Sequence, residues 1–279
     1  MLESAQDETQ GRRRLGETRA PCRSRERFSA ADALQYLDSR WERHRESRNR
    51  VGQPQFVANM IDCADRTLPC QELRDILLPA FAPCSCFGTA CGTMRWQPKA
   101  GHVPRGFCGA TGRASDVNLV LVVAEPGDPH LGESYDGAVR QEMLFESVCR
   151  YVRGCFENGK DPFHRNVRAI LNDCWPDLPF HEQLRHTWIT ESVLCSASVE
   201  CGSVPPSVRQ ACVGRYLARQ LDVLPNAIVV AAGGKAHERM RRLPRRFLRV
   251  GSVAPPGCNQ QRVQQSWRAI STAVHAHRS

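Results

Sequence analysis

The sequence has no apolar run approaching the roughly 18 residues that a membrane-spanning helix needs, so no membrane partner is expected. Residues 1–30, MLESAQDETQGRRRLGETRAPCRSRERFSA, are charged throughout and lack the apolar segment of a secretory leader, so the expected location is intracellular and cytoplasmic. No G-x-G-x-x-G is present, and Gly233-Gly234-Lys235-Ala236 has neither the leading glycine nor the Ser/Thr of a phosphate-binding P-loop. A nucleotide cofactor is therefore not expected. No internal repeat is present. Acids are scarce near the C-terminus: from Lys235 to Arg268, Glu238 stands alone among nine basic residues, and most of the chain's net charge of +9 lies there. A phosphate backbone would suit such a cluster, since each neutralised phosphate releases condensed counterion. A solvated arginine-rich face is the alternative.

Cysteine is abundant, with 14 in 279 residues. In a reducing compartment a disulfide framework is not expected, which leaves metal or cluster ligation and ordinary burial. Cys149 and Cys155 read as core residues, because Leu144, Val148, Tyr151, Val152, Cys155 and Phe156 form an apolar stripe at helical spacing. Cys22, Cys63, Cys70, Cys174, Cys201 and Cys258 take the same reading.

Residues 1–28 read as a disordered basic tail and 29–83 as a helical N-terminal extension, with a helix after Ser29 that aligns Leu34, Leu37 and Trp41. The stretch 50–110 is otherwise irregular. Residues 84–279 hold the main domain. VNLVLVVAE (117–125), TWITESVLC (187–195), NAIVVAAGG (226–234) and FLRVGSV (247–253) read as buried strands. Helices are expected over Leu144–Phe156, over Asn166–Cys174, after Pro205-Pro206, and over a stripe of Val263, Trp267, Ile270 and Val274. This alternation gives an α/β fold: a three-layer α/β/α sandwich around a central, mainly parallel four-stranded sheet. Ligands of such sheets bind beyond the carboxyl ends of the strands, so four loops should converge: Ala124–Tyr135, Leu194–Cys201, Gly233-Gly234 and Ser252–Asn259.

The order and composition of these loops resemble the uracil-DNA glycosylase superfamily, most closely its iron-sulphur members. A buried strand ending in G-E-A-P-G or a relative is matched by Val123-Ala124-Glu125-Pro126-Gly127, and G-R-P-F-V-G by Gly132-Glu133-Ser134-Tyr135-Asp136-Gly137. The middle strand I-T-N-V-V-K-C is matched by Ile189-Thr190-Glu191-Ser192-Val193-Leu194-Cys195. V-V-A-L-G-x-x-A appears as Val229-Val230-Ala231-Ala232-Gly233-Gly234-Lys235-Ala236, and Ala254-Pro255-Pro256 stands where the family has H-P-S.

The resemblance implies a monomeric DNA-base glycosylase that hydrolyses the N-glycosidic bond of uracil or another damaged base after flipping it into a pocket. Glu125 would orient water and stabilise the positive sugar; a helix-terminal carboxylate is the alternative. Tyr135 would stack on the base, unless it is only a surface-loop tyrosine. Gly127 and Glu191 would complete the substrate site, and Arg245, Arg246 and Arg249 would contact phosphates. Two departures matter. Glu191 replaces an asparagine that both donates to and accepts from uracil, whereas an ionised carboxylate can only accept. Ala254 replaces a histidine that stabilises the leaving base.

In iron-sulphur members two cysteines before the first strand join one ending the middle strand and one in the next helix to hold a 4Fe-4S cluster. Cys195 and Cys212 match the second pair. Cys86 and Cys91 are assigned as the first pair, with Cys84 as the other candidate, since no C-x-x-C occurs. Zinc on the same thiolates is the metal alternative. The rival function is a non-catalytic, iron-sulphur nucleic-acid-binding protein on the same fold.

Overall fold

The computed structural model describes residues 67–82, 94–135, 137 and 140–278. The expected N-terminal tail, the helix after Ser29, and Cys22, Cys63, Cys84, Cys86 and Cys91 lie outside them. The sheet contains β1 (Cys108–Gly109), β2 (Leu119–Val123), β3 (Thr187–Glu191), β4 (Ile228–Ala232) and β5 (Leu248–Val250), in the spatial order β1-β3-β2-β4-β5. The last four pair in parallel; β1 pairs with β3 antiparallel. The architecture is thus the expected mostly parallel α/β one, with five strands instead of four. β1 was missed because two residues carry no periodicity.

The central strands form because their β-branched residues are covered on both faces: every residue of β2 and β3 is buried. After β2 come α1 (Gln141–Glu157), α2 (Pro162–Cys174) and the short α3 (Phe180–Arg185), which the sequence reading did not foresee. Leu144, Phe145, Val148, Cys149, Val152, Cys155 and Phe156 turn one face of α1 into the core. Between β3 and β4, α4 (Pro206–Cys212) runs through a π-helical turn at Val213–Leu217 into α5 (Ala218–Asp222). Next come α6 (Gly234–Met240) before β5, then α7 (Gln261–Ser266) and α8 (Arg268–Arg278). The expected final stripe is split at Trp267, with Ile270 and Val274 buried.

An earlier helix over Gln71–Leu77 buries Leu73, Ile76 and Leu77 in the same core as the sheet. There Phe81, Phe107, Phe145 and Trp188 pack as aromatic neighbours with centroids 5.3–6.2 Å apart. Among the described residues no helix is long and apolar enough to cross a membrane.

The strand order fixes where a site can be. The chain leaves β2 in one direction to reach β3, then passes back beyond β2 to reach β4. With right-handed crossovers, the connections from β2 and β3 must lie on opposite faces of the sheet. The strand order reverses at β2, so the topological switch point is the crevice at its carboxyl end, flanked by β3 and β4.

Candidate active site

Two glutamates occupy that crevice. In the register of β2 and β3, Val123 lies opposite Glu191, and Glu125 follows two residues beyond Val123. Pairing continues past the strands: Ser192 N donates to Val123 O at 2.9 Å, Val193 N to Ala124 O at 3.1 Å, and Ser192 Oγ to Ala124 O at 2.7 Å. Glu125 is therefore held by strand geometry rather than by a free loop.

The cations facing Glu125 come from α6. Gly233 has a φ of +95°, a left-handed turn that leads β4 directly into α6 and brings Lys235 and Arg239 over the crevice. Arg239 Nη2 lies 2.5 Å from Glu125 Oε2, and Nη1 donates to Ala124 O at 2.7 Å and Ser192 Oγ at 3.0 Å. Lys235 Nζ pairs with Glu125 Oε1 and reaches the carbonyls of Cys201 and Gly202 at 3.3 and 3.1 Å. Arg239 is buried, whereas the Lys235 side chain is 43% exposed.

Glu191 is buried, and its Oε2 has no hydrogen-bond partner. Burial, and then the nearby Glu125 charge, push its pKa well above the ordinary carboxylate range, against the opposing pull of Arg239 and Arg105. Space for the carboxyl group comes from Gly106, whose φ is +85° and where a Cβ would fall 2.4 Å from Glu191 Oε1. Gly106→Ala is accordingly expected to displace Glu191 and to cost roughly 1–3 kcal/mol of stability in denaturant unfolding.

A second network fixes the loop after β2. The buried Arg105 donates to Gly101 O at 2.7 Å and also to Gly127 O, which accepts from Ser196 Oγ at 3.1 Å. Gly127 thereby joins the loops that follow β2 and β3. Arg105 Nε lies 3.8 Å from Glu133 Oε1, which accepts from Tyr135 Oη at 2.8 Å. The Tyr135 ring meets Tyr151 edge-on and is only 7% exposed. The surface-loop reading of Tyr135 is thus corrected: the ring can form a pocket floor but not an exposed platform.

The four expected loops converge. Gly127 and Ser196 join the first and second, Lys235 ties the third to both through Glu125 and Cys201, and Gly233 packs against Ser252 of the fourth. Leu131, 88% exposed, and Val199, 65% exposed, project from the first two loops.

The cysteines divide. Cys70, Cys108, Cys149, Cys155, Cys174 and Cys258 are buried, as expected of core residues for all but Cys108, which was given no role. Burial pushes the Cys108 and Cys155 thiols up to about 12, which suits inert packing groups. Cys201 corrects the core reading: it is exposed, with a left-handed φ of 60°. Cys195 and Cys212 are half-buried, and Cys212 packs with Met94 against a small apolar cluster separate from the main core, formed by Val193, Ala197, Val204 and Val208. Met94 bridges to Ala197, and Arg95 N donates to Ser196 O at 2.9 Å. The segment that begins three residues after Cys91 therefore runs beside the loop of Cys195.

The arginine assignments change. Arg245 Nη2 donates to the carbonyls of Leu224, Pro225 and Ala227 at 3.0, 2.6 and 3.0 Å. Those carbonyls lie just before β4, at the amino ends of the parallel strands, opposite the crevice. Arg245 is therefore a fastener, while Arg246 and Arg249 are exposed. Arg245→Ala is expected to lose about 1–3 kcal/mol in urea unfolding. Sequence reasoning missed Arg239, Arg105 and Glu133. Arg239 had a signal, since it shares a helical face with Ala236 and Met240, all buried, while Arg241 and Arg242 point outward.

Neither protein-family models nor curated proteins match the chain.

Proposed function

We propose that the protein is a DNA-base glycosylase that hydrolyses the N-glycosidic bond of uracil or another altered base. The observation that carries this reading is the meeting of Glu125 and Glu191 at the switch point, one carboxylate paired to cations and the other buried with a raised pKa. Such a pair divides the labour of base excision. Glu125 orients a water toward the anomeric carbon and offsets the positive charge that grows there as the bond breaks. Glu191 in its neutral form donates as well as accepts, which supplies the two-way recognition of a base edge that an amide would give.

Lys235 is the group that must yield. Half-exposed and paired to Glu125 Oε1, it is the cation a DNA phosphate would draw away, freeing that oxygen for water. Leu131 and Val199, exposed on the first two loops, would fill the gap left by an extruded nucleotide. The electrostatic term of DNA binding is assigned to Lys235 and Arg249, since Arg246 precedes β5 at the amino ends of the strands with Arg245, so replacing Arg249 by alanine should lower the salt slope of affinity. A slope that survives would place the contacts elsewhere.

A 4Fe-4S cluster, with zinc as the alternative, is assigned to Cys195 and Cys212 with Cys86 and Cys91, a set supported by Met94, from which the chain following Cys91 runs alongside the Cys195 loop. Such a cluster would pin the loops after β3 and before β1. Anaerobically purified protein is expected to be brown and to hold about four irons per chain, and Cys195→Ser or Cys212→Ser should lose them. Colourless protein with stoichiometric zinc would replace iron with zinc on the same thiolates.

The rival reading is a non-catalytic nucleic-acid-binding protein. It is favoured by one observation, that both oxygens of Glu125 are already ion-paired. Scoring abasic sites in duplex and single-stranded DNA that carries altered bases separates the two.

A further inference from the structure

We propose that His130, Asp161 and His164 form a zinc site outside the crevice, which locks the loop after β2 onto α1 and α2. None of the three has a part in the reading above. His130 belongs to that loop, Asp161 immediately precedes α2, and His164 lies in its first turn. Asp161 Oδ1 caps α2 by accepting from His164 N at 3.0 Å, so the carboxylate is already fixed in place.

Around it, His130 Nε2 stands 3.1 Å from Asp161 Oδ2 and His164 Nδ1 stands 2.9 Å from Asp161 Oδ1. One ligand atom from each residue lies within 4.8 Å of the others. Tetrahedral zinc with bonds of about 2.0–2.1 Å separates its ligands by roughly 3.3–3.5 Å, so a small outward movement admits the ion.

A second observation points to a cation. His164 is buried and its Nδ1 points at the Asp161 carboxylate, 2.9 Å from Oδ1, so the ring is already turned toward the other ligands. A metal would take the place of the proton that Nδ1 shares with the carboxylate. The far nitrogen of His130 is braced as in metal sites, with Nδ1 3.1 Å from Tyr151 Oη and 3.7 Å from Glu133 Oε2. The His130 and Asp161 side chains are 28% and 34% exposed, which leaves water free to complete the coordination.

Two imidazoles and a carboxylate suit zinc and differ from the thiolate set, so the two sites would not compete for one ion. The outer partner Glu133 also holds Tyr135 and approaches Arg105. Zinc would therefore stiffen the wall of the crevice. The proposal does not depend on what that crevice binds.

The test uses the full chain, freed of loosely held metal with a chelator, then titrated with zinc alone and with cobalt(II) alone. Calorimetry, melting temperature and visible absorption are the readouts. Asp161→Asn keeps a capping side chain, and His130→Ala removes a half-exposed ring, so both should fold. The parent should bind zinc and melt higher with it, and both variants should lose about tenfold or more in affinity. Cysteine variants should leave this affinity unchanged. A parent whose melting is unmoved by zinc, or variants that bind zinc as the parent does, would overturn the proposal.

Discussion

Glu191→Gln is expected to melt higher than the parent above about pH 5, with a gap that widens as the pH rises. The sign follows from the environment. Burial and Glu125 raise the Glu191 pKa in the folded protein, so between the unfolded value of about 4.3 and the folded one the native state holds more protons than the unfolded chain. The parent therefore loses stability as pH rises through that window, by about 1.4 kcal/mol per pH unit from this group. Glutamine has no proton to lose and nearly the same shape, so its profile lacks that slope. All other titrating groups are common to both proteins, and the difference between the two curves isolates Glu191. Parallel curves would mean that Glu191 titrates normally. Glu125→Gln should shorten the pH window over which this loss accrues without closing it, because burial is the larger cause and persists.

Glu125→Gln is expected to slow base excision by about a hundredfold or more, the range for removing a positioned acid-base group or an electrostatic stabiliser. The substitution keeps an acceptor and deletes the charge. Arg239 loses a counter-ion but keeps its bonds to Ala124 O and Ser192 Oγ, so the variant should be less stable and still folded. Rates belong at a temperature where circular dichroism shows it native. Lys235→Met should act oppositely on chemistry, easing access to Glu125 Oε1, while weakening DNA binding and its salt dependence. On a uracil substrate the parent should work faster as pH falls through the Glu191 transition, and Glu191→Asn should raise uracil excision near neutrality. Unchanged excision in Glu125→Gln would return this residue to a purely structural role.

The parallel strands were legible because β2 and β4 are short runs of aliphatic residues, and β3 and β5 are short segments carrying β-branched residues, a pattern that strands share. β1 was not, since its two residues are placed by antiparallel pairing with β3 and not by any local preference. α3 was hidden by Phe180-His181-Glu182-Gln183-Leu184-Arg185, too short to show an apolar stripe, although Gln183 and Leu184 are buried. Within the site, Glu125 and Glu191 could be found because strand ends position them. Of their partners, Arg239 was marked only by its helical phase with Ala236 and Met240, and Arg105 and Glu133 carried no local signal because they meet across irregular loops. Arg245 shows the same limit in reverse, since only the fold reveals that its guanidinium is used at the far end of the sheet.

The central claim, that the paired glutamates at the switch point form a hydrolytic site for a nucleobase, is tested most directly by scoring abasic sites. The parent and Glu125→Gln would be incubated side by side with duplex and single-stranded DNA bearing uracil, hypoxanthine, xanthine or an alkylated base. The parent is expected to leave abasic sites on at least one of these substrates, and Glu125→Gln, equally folded, to leave almost none on the same one. DNA that is bound by the parent with every base intact would contradict the account and establish the protein as a binding module.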